Sequence, residues 1–468
     1  MSTIPAGSSG DLRPLAEWYL DKNHRRLWFF PLTLGLVALI AVMILRGSME
    51  DPEENYAQSR AAVAALAQPP VPPEENAWED YKKTLAVRVM YTGSDDSNPF
   101  YKTDDDSKYF KPGDIQELWK ANTEAIEWLH ACGAKERCDM GIDQLAKPFD
   151  CPSLMNAREC ANLLAMDARC HAIAGNHVAA AKSLHAIRGL ARHLETQPLL
   201  IMEMIATAIN GIADDCFGAI LIFDPPEKLD DLQAYKLALE QNRDPFERAA
   251  RSITYENTIG IYYFDSCALG KMPKPAFPRG MVDPGMSALW YGSDRRCAKL
   301  VAESAAAALR RRQQPENTSS AINRFQTGPA ILTSIIIPSY GRAMKAYFEV
   351  EERSRLAVVA AAFLQYRVKY GRDPLSMEQL VPEFLSEVPK GLFHDKPIRF
   401  TREKARHLHS STMMDIFYNE KKVPSVRIYT VGRNDVDDGG NNNGLYSNQT
   451  DTDDTIFHVP LATEKSEK

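Results

Sequence analysis

Tyr366-Arg-Val-Lys-Tyr-Gly-Arg-Asp-Pro-Leu-Ser-Met-Glu-Gln-Leu-Val-Pro382 decides how this chain is read. The stretch closes one helix and opens another. Leu356, Val359, Phe363, Tyr366 and Tyr370 fall three and four apart, the apolar stripe of a long helix. Gly371 supplies a left-handed C-cap, and Pro374 prevents continuation. Ser376-Met-Glu-Gln379 is a capping box that starts a short second helix. Further on, Ile398-Arg-Phe, Asp415-Ile-Phe-Tyr, Val426-Arg-Ile-Tyr-Thr and Thr455-Ile-Phe-His-Val alternate as strands. One long helix on a small antiparallel sheet is expected over 338–468.

Upstream the pattern is helical, so the fold class expected is mainly α. Ala157–Ala174, a Gly175-Asn176 turn and Val178–Leu194 form a helical hairpin, with Ala181, Leu184, Ile187 and Leu190 at spacing three. The hairpin resembles one unit of tetratricopeptide type, without a repeat array. Pro198–Phe223 is apolar enough to raise the membrane question. Glu203, Asn210, Asp214 and Asp215 interrupt it, and a buried core helix is expected. Helices follow over 228–240 and 244–264. The Pro-, Gly- and Met-rich residues 268–293 read as a surface loop or lid, then helix returns over 294–312. Gln313–Pro329 reads as linker.

Leu27–Leu45 (LWFFPLTLGLVALIAVMIL) holds no charged residue. It is about as long as the ~20 residues that cross a bilayer as a helix. Arg13, Lys22, Arg25 and Arg26 precede it, and Glu50, Asp51, Glu53 and Glu54 follow. That bias puts the N terminus in the cytoplasm and the bulk of the chain in the periplasm, anchored once in the inner membrane. The expected divisions are a tail (1–26), a transmembrane anchor (27–46), a linker (47–75), a helical exported domain (76–312), a linker (313–337) and an α+β domain (338–468).

The net charge of −7 is mild and no long basic run exists, which argues against a nucleic-acid partner. All 8 cysteines follow the anchor, compatible with disulfides in an exported segment. Cys132, Cys138 and Cys151 lie in turn-rich sequence and are the bridge candidates. Cys160, Cys170 and Cys216 lie in helical pattern and read as buried small hydrophobes. His177, His185 and His193 drift around one helix face and read as exposed or hydrogen-bonded side chains. His407 and His409 show no third metal ligand. The acid clusters within 91–110 match no cation-loop spacing.

The one site candidate is a Gly/Asp loop. Asp435, Asp437 and Asp438 sit beside Gly439 and Gly440, and Asp451, Asp453 and Asp454 return just before the last strand. Clustered carboxylates repel unless neutralised, and calcium takes about six to eight oxygen ligands from flexible loops. The residues alone fit either a calcium site or a solvated acidic hairpin.

Tyr429-Thr-Val-Gly432-Arg-Asn434-Asp435, followed by Asp451-Thr-Asp453-Asp454-Thr-Ile, resembles the globular domain of type II secretion major pseudopilins. There a Tyr-Ser-x-Gly-x-Asp-Gly segment leads to Asp-x-Asp-Ile. The long helix with Tyr366, Tyr370-Gly371, Pro374 and Leu380 adds to the likeness. The resemblance implies that the loop holds calcium, with Asp451 and Asp453 as foremost ligands. The chain departs from the family in Asp435, which stands where Gly is usual, and in Asn441-Asn-Asn-Gly, which lengthens the loop. Its apolar run also lies far upstream of this domain. The whole layout resembles a group of uncharacterised bacterial membrane-anchored envelope proteins.

No G-x-S-x-G, H-E-x-x-H, P-loop or G-x-G-x-x-G is present. The function expected is a membrane-anchored scaffold or interaction protein that binds an envelope protein partner. The alternative is an envelope hydrolase with its site under 268–293.

Overall fold

A computed structural model describes residues 51–66, 69–88, 112–148, 154–197, 199–240, 244–271, 284–313, 318–325, 333, 340–392, 396–408, 421–432, 435–437, 439–440 and 454–461. The run Leu27–Leu45, the acidic segment 91–110 and the proposed strand Asp415–Tyr418 lie outside them. Among the described residues the protein is mainly helical, with one three-stranded antiparallel sheet. The chain divides into two compact units: 1–62, 260–301 and 319–337 in the first, 63–259, 302–318 and 338–468 in the second.

In the second unit, α2 (Ala77–Val87) starts where Asn76 accepts a hydrogen bond from the Trp78 N–H. After α3 (Pro112–Ala121) and α4 (Thr123–Ala134), the expected hairpin forms as α5 (Leu154–Ile173) and α6 (His177–Leu194). Gly175 lies at φ +75 between them, the left-handed conformation that suits glycine. Helix α6 meets α4 with almost no gap. A Cβ on Gly189 would stand 2.2 Å from the Gly133 carbonyl oxygen, so side chains are excluded at this crossing.

Helix α7 (Leu200–Phe223) is, among the described residues, the one helix long and apolar enough to cross a membrane. It is 67% buried over its most apolar window, as expected of a core helix. Helices α8 (Leu229–Leu239) and α12 (Tyr340–Tyr370) pack with it. In α12, Leu356, Val359, Phe363 and Tyr366 are buried, and Gly371 ends the helix at φ +67. The capping box does not form as expected, because neither of its two reciprocal bonds at Ser376 is made. Gln379 accepts from the Leu375 N–H at 2.9 Å, Ser376 makes no side-chain cap, and the turn Met377–Leu380 is 3-10 rather than α.

Strands β1 (Arg399–Leu408), β2 (Lys421–Thr430) and β3 (Thr455–Pro460) run antiparallel in that spatial order. Central strand β2 contains Pro424, which has no N–H to give the ladder. The register accommodates it. Glu403 pairs with Ser425 and Arg406 with Val423, a bulge opposite the proline, while β3 pairing begins only at Ser425. Val426, Ile428, Phe457 and Val459 face inward. Phe457 reaches Phe217 of α7, ring centroids 6.2 Å apart, so the sheet packs on both α7 and α12.

The first unit contains α1 (Pro52–Ala64), the C-terminal part of α9 (Pro245–Ala268), most of α10 (Pro284–Arg310) and α11 (Thr318–Phe325). Tyr56 stacks on Tyr262 at 5.9 Å, and the Lys271 ammonium lies 3.8 Å from the Tyr56 ring centroid. Arg295 pairs with Asp265 at 3.1 Å.

Two expectations are corrected here. Residues 284–293, expected as part of a loop or lid, are the first turns of α10. Pro284 occupies the first helical position, where a missing N–H is harmless, and Gly285 and Gly292 each weaken the helix by only about 1 kcal/mol. Residues 318–325, expected as linker, are α11, whose Ala321 and Ile322 are buried.

Candidate functional site

Asp454 is fully buried at the start of β3, and its carboxylate is what closes the Gly/Asp loop. Oδ1 accepts from the Gly432 N–H at 2.8 Å and Oδ2 from the Gly440 N–H at 2.9 Å. One side chain thus clamps both ends of the turn. Arg427 donates to the Gly440 carbonyl at 2.5 Å. A Cβ on Gly440 would lie 3.0 Å from the Tyr429 ring, and its φ is +69, so glycine is required twice over.

Asp435 and Asp437 are exposed and lie on the outer side of the turn. Lys396 reaches the Asp435 carboxylate at 2.5 Å and its carbonyl at 2.8 Å. Asp437 pairs with Arg399 and accepts from the Gly439 N–H at 3.0 Å. Burial works against its charge, but the Gly439 N–H, Arg399 and the Tyr429 phenol outweigh it and hold Asp437 below the usual carboxylate range.

These contacts test the fit of calcium. Lys396 and Arg399 pair with Asp435 and Asp437, and two backbone N–H groups hold Asp454, so a cation at these three acids would have to displace those partners. Asp438, Asp451 and Asp453 lie outside the described residues. Among the described residues, no cluster of three or more His, Cys, Asp or Glu has a metal-holding arrangement.

Two further polar centres were not read from the sequence. In the first, four side chains gather around Asp167 of α5. Trp119 of α3 donates to Oδ1 at 2.8 Å and Ser183 of α6 to Oδ2 at 2.5 Å. His130 of α4 lies 3.1 Å from Oδ2, and His171 3.5 Å from Oδ1. Burial would raise the Asp167 carboxyl, but the bonds from His130, Ser183 and Trp119 hold it low. Ser183 gives its proton to the carboxylate and not to an imidazole. The group therefore ties four helices together and is not a nucleophile–base relay.

The second centre runs along α7. Glu203, Thr207, Asn210 and Asp214 occupy one face at spacings of three and four, and all are buried. Arg188 donates to Asp214 at 2.5 Å and to the Asn210 carbonyl at 3.1 Å, while Ser354 donates to Asp214 at 2.5 Å. Arg353 pairs with Asp215. Near the start of α7, Arg248 meets three carboxylates: Glu195 at 2.7 Å, Glu203 at 2.6 Å and Glu351 at 3.1 Å. Its guanidinium also lies over Tyr347, 5.7 Å from the centroid. The signal was present in the sequence, since these acids are the interruptions of the apolar run. Their partners come from three other helices and carry no pattern of their own.

The cysteines call for another correction. Cys132 and Cys138, expected as bridge candidates, are free buried thiols, and Cys151 lies outside the described residues. Cys132 lies in the last turn of α4, not in the loop, and its sulfur sits 3.9 Å from His193 Nδ1. Burial pushes Cys138 and Cys160 up to about 12, where thiolate is scarce. His193 is fully buried beside them, 2.7 Å from the Lys135 carbonyl, and burial lowers it to about 4. His177 lies 3.1 Å from the Tyr235 hydroxyl.

No family model matches this chain, and neither a curated protein nor a solved structure matches it.

Proposed function

We propose that the chain is a single-pass envelope protein, anchored in the cytoplasmic membrane by Leu27–Leu45 with its N terminus in the cytoplasm. In this reading the exported helices serve as a non-enzymatic scaffold or interaction surface for an envelope protein partner. The α5–α6 hairpin would be tetratricopeptide-like, and residues 338–468 a pseudopilin-like module. The observation that carries the reading is the uncharged run with basic residues before it and acidic residues after it. The Asp167, Asp214 and Arg248 groups support it from another side. They join helices to one another, as suits a rigid scaffold.

Calcium belongs to the proposal as a brace for the Gly/Asp loop. Its side-chain ligands would come from Asp435, Asp437, Asp438, Asp451, Asp453 and Asp454, with Asp451 and Asp453 foremost, and Lys396 and Arg399 would be released from Asp435 and Asp437.

Reporter fusions after residue 75 test the anchor. A reporter active only outside the cytoplasm should work there, and carbonate should leave the protein in the membrane. Activity of a cytoplasm-only reporter at that position would refute the orientation. Melting of the full chain in calcium and in chelator tests the brace. A ligand at a hundredfold excess over its Kd stabilises by about 2.7 kcal/mol, an upward shift of a few degrees. Coincident curves remove calcium from the reading and leave the anchor untouched.

A further inference from the structure

Among the described residues, three carboxylates meet the Arg248 guanidinium, and two of them converge on one nitrogen. Arg248 Nη2 lies 2.7 Å from Glu195 Oε1 and 2.6 Å from Glu203 Oε1, so two carboxylates share a single nitrogen. Glu351 occupies Nη1 at 3.1 Å. Glu195, Glu203, Arg248 and Glu351 are all buried, and Glu203 is fully so. Its second oxygen, Oε2, is buried without a hydrogen-bond partner among the described residues. An ionised carboxylate left in that state is penalised far more heavily than a protonated one.

Among the described residues, Glu203 meets Arg248 and no second cation. Helix α6 brings Arg188, and Glu195 follows its end. Helix α7 brings Glu203, Asp214 and Asp215. Helix α9 brings Arg248, Arg251 and Glu256. Helix α12 brings Tyr347, Glu351, Arg353 and Arg355. Arg188 is committed to Asp214, Arg353 to Asp215, and Arg251 to the Glu195 carbonyl. Arg355 donates to the Lys390 carbonyl at 3.3 Å, and Arg188 and Arg355 both act electrostatically on Glu351 rather than on Glu203.

We propose that the folded protein keeps one proton on Glu203 at neutral pH, and that release of this proton as pH rises loosens the packing of α6, α7, α9 and α12. The cluster is then a pH-sensitive element built into the second unit. Burial, reinforced by Glu195 and Glu351 and opposed by Arg248, pushes Glu203 up to about 7. Glu351 moves in the same direction, through burial first. A carboxyl raised above its unfolded value binds its proton more tightly when folded. Its stabilisation is therefore complete below about pH 4.3 and is lost as pH rises through about 7.

Thermal melting of the full chain from about pH 5 to about pH 9 tests this, comparing wild type with Glu203→Gln. The amide is isosteric with the protonated acid and keeps an acceptor for Arg248. The expected result is a crossing. The variant melts no higher than wild type at the acid end and several degrees higher at the alkaline end. A difference in Tm that stays constant with pH, or a variant less stable at the alkaline end, overturns the proposal.

If Glu203→Gln does not fold, infrared difference spectra of the Glu256→Gln protein between about pH 6 and about pH 9 decide instead. That background removes Glu256, which burial also raises to about 7. A buried protonated-carboxyl band that disappears at high pH, and that is missing when Glu203→Ala is added, supports the assignment. No such band, or one that survives the second substitution, refutes it.

Discussion

The Arg248 cluster and the Gly/Asp loop use the same side chains in opposite solvents. In the loop, Asp435 and Asp437 are exposed and each has its own cation, Lys396 and Arg399. In the cluster, Glu195, Glu203 and Glu351 share one guanidinium with almost no access to water. The sequence draws attention to the loop, because its acids are consecutive. The interior gives the scattered acids greater energetic weight. Charges in water are already solvated, so pairing them adds little. Charges taken out of water must be matched by the fold, and a mismatch falls on protons.

The largest effect should come from removing the shared cation. Arg248→Met removes the donor that Glu195, Glu203 and Glu351 share and should cost roughly 3–5 kcal/mol in urea unfolding at neutral pH. A loss under ~1 kcal/mol would mean that water reaches the cluster and would break the contrast with the loop. Next comes Asp454, the one loop acid among the described residues that is buried like the cluster. Asp454→Ala removes two charge-assisted bonds to backbone N–H groups, about 3 kcal/mol by the same measurement. If it behaves like a surface change, the loop is uniformly solvent-governed.

A third effect sharpens the sign of the comparison. His193 is buried with its imidazole depressed to about 4, so the folded state binds fewer protons there than the unfolded chain. Its stabilisation is present above about pH 6.5 and lost as pH falls towards about 4, opposite to Glu203. Acid melting curves should be less steep in His193→Gln than in wild type. Equal slopes would show that His193 is not buried in its neutral form. The smallest effect belongs to the exposed pair. A double-mutant cycle on Arg399 and Asp437 should give a coupling below ~1 kcal/mol that shrinks further in salt.

The helical hairpin, the buried nature of α7 and the helix-on-sheet end were legible because each rests on local rules. Periodicity placed the helices, Gly175 and Gly371 placed their turns, and alternation placed β2 and β3. The start of α10 was misread because glycine and proline were taken as loop markers, although Pro284 stands at a first helical position. The bridge expectation for Cys132 and Cys138 misled for a related reason. Turn-like sequence surrounds them, but the neighbours that bury their thiols come from α2, α5 and α6.

The sequence by itself determined most of the helices, strands β2 and β3, and the run long and uncharged enough to span a bilayer, because these follow from residues near one another along the chain. The tertiary structure alone decided which charges meet. Arg188 finds Asp214 and Ser354, Arg248 finds Glu195, Glu203 and Glu351, and Asp454 finds Gly432 and Gly440, each across segments distant in sequence. Burial then sets what those charges are worth, and burial is a property of the packed interior rather than of any stretch of sequence.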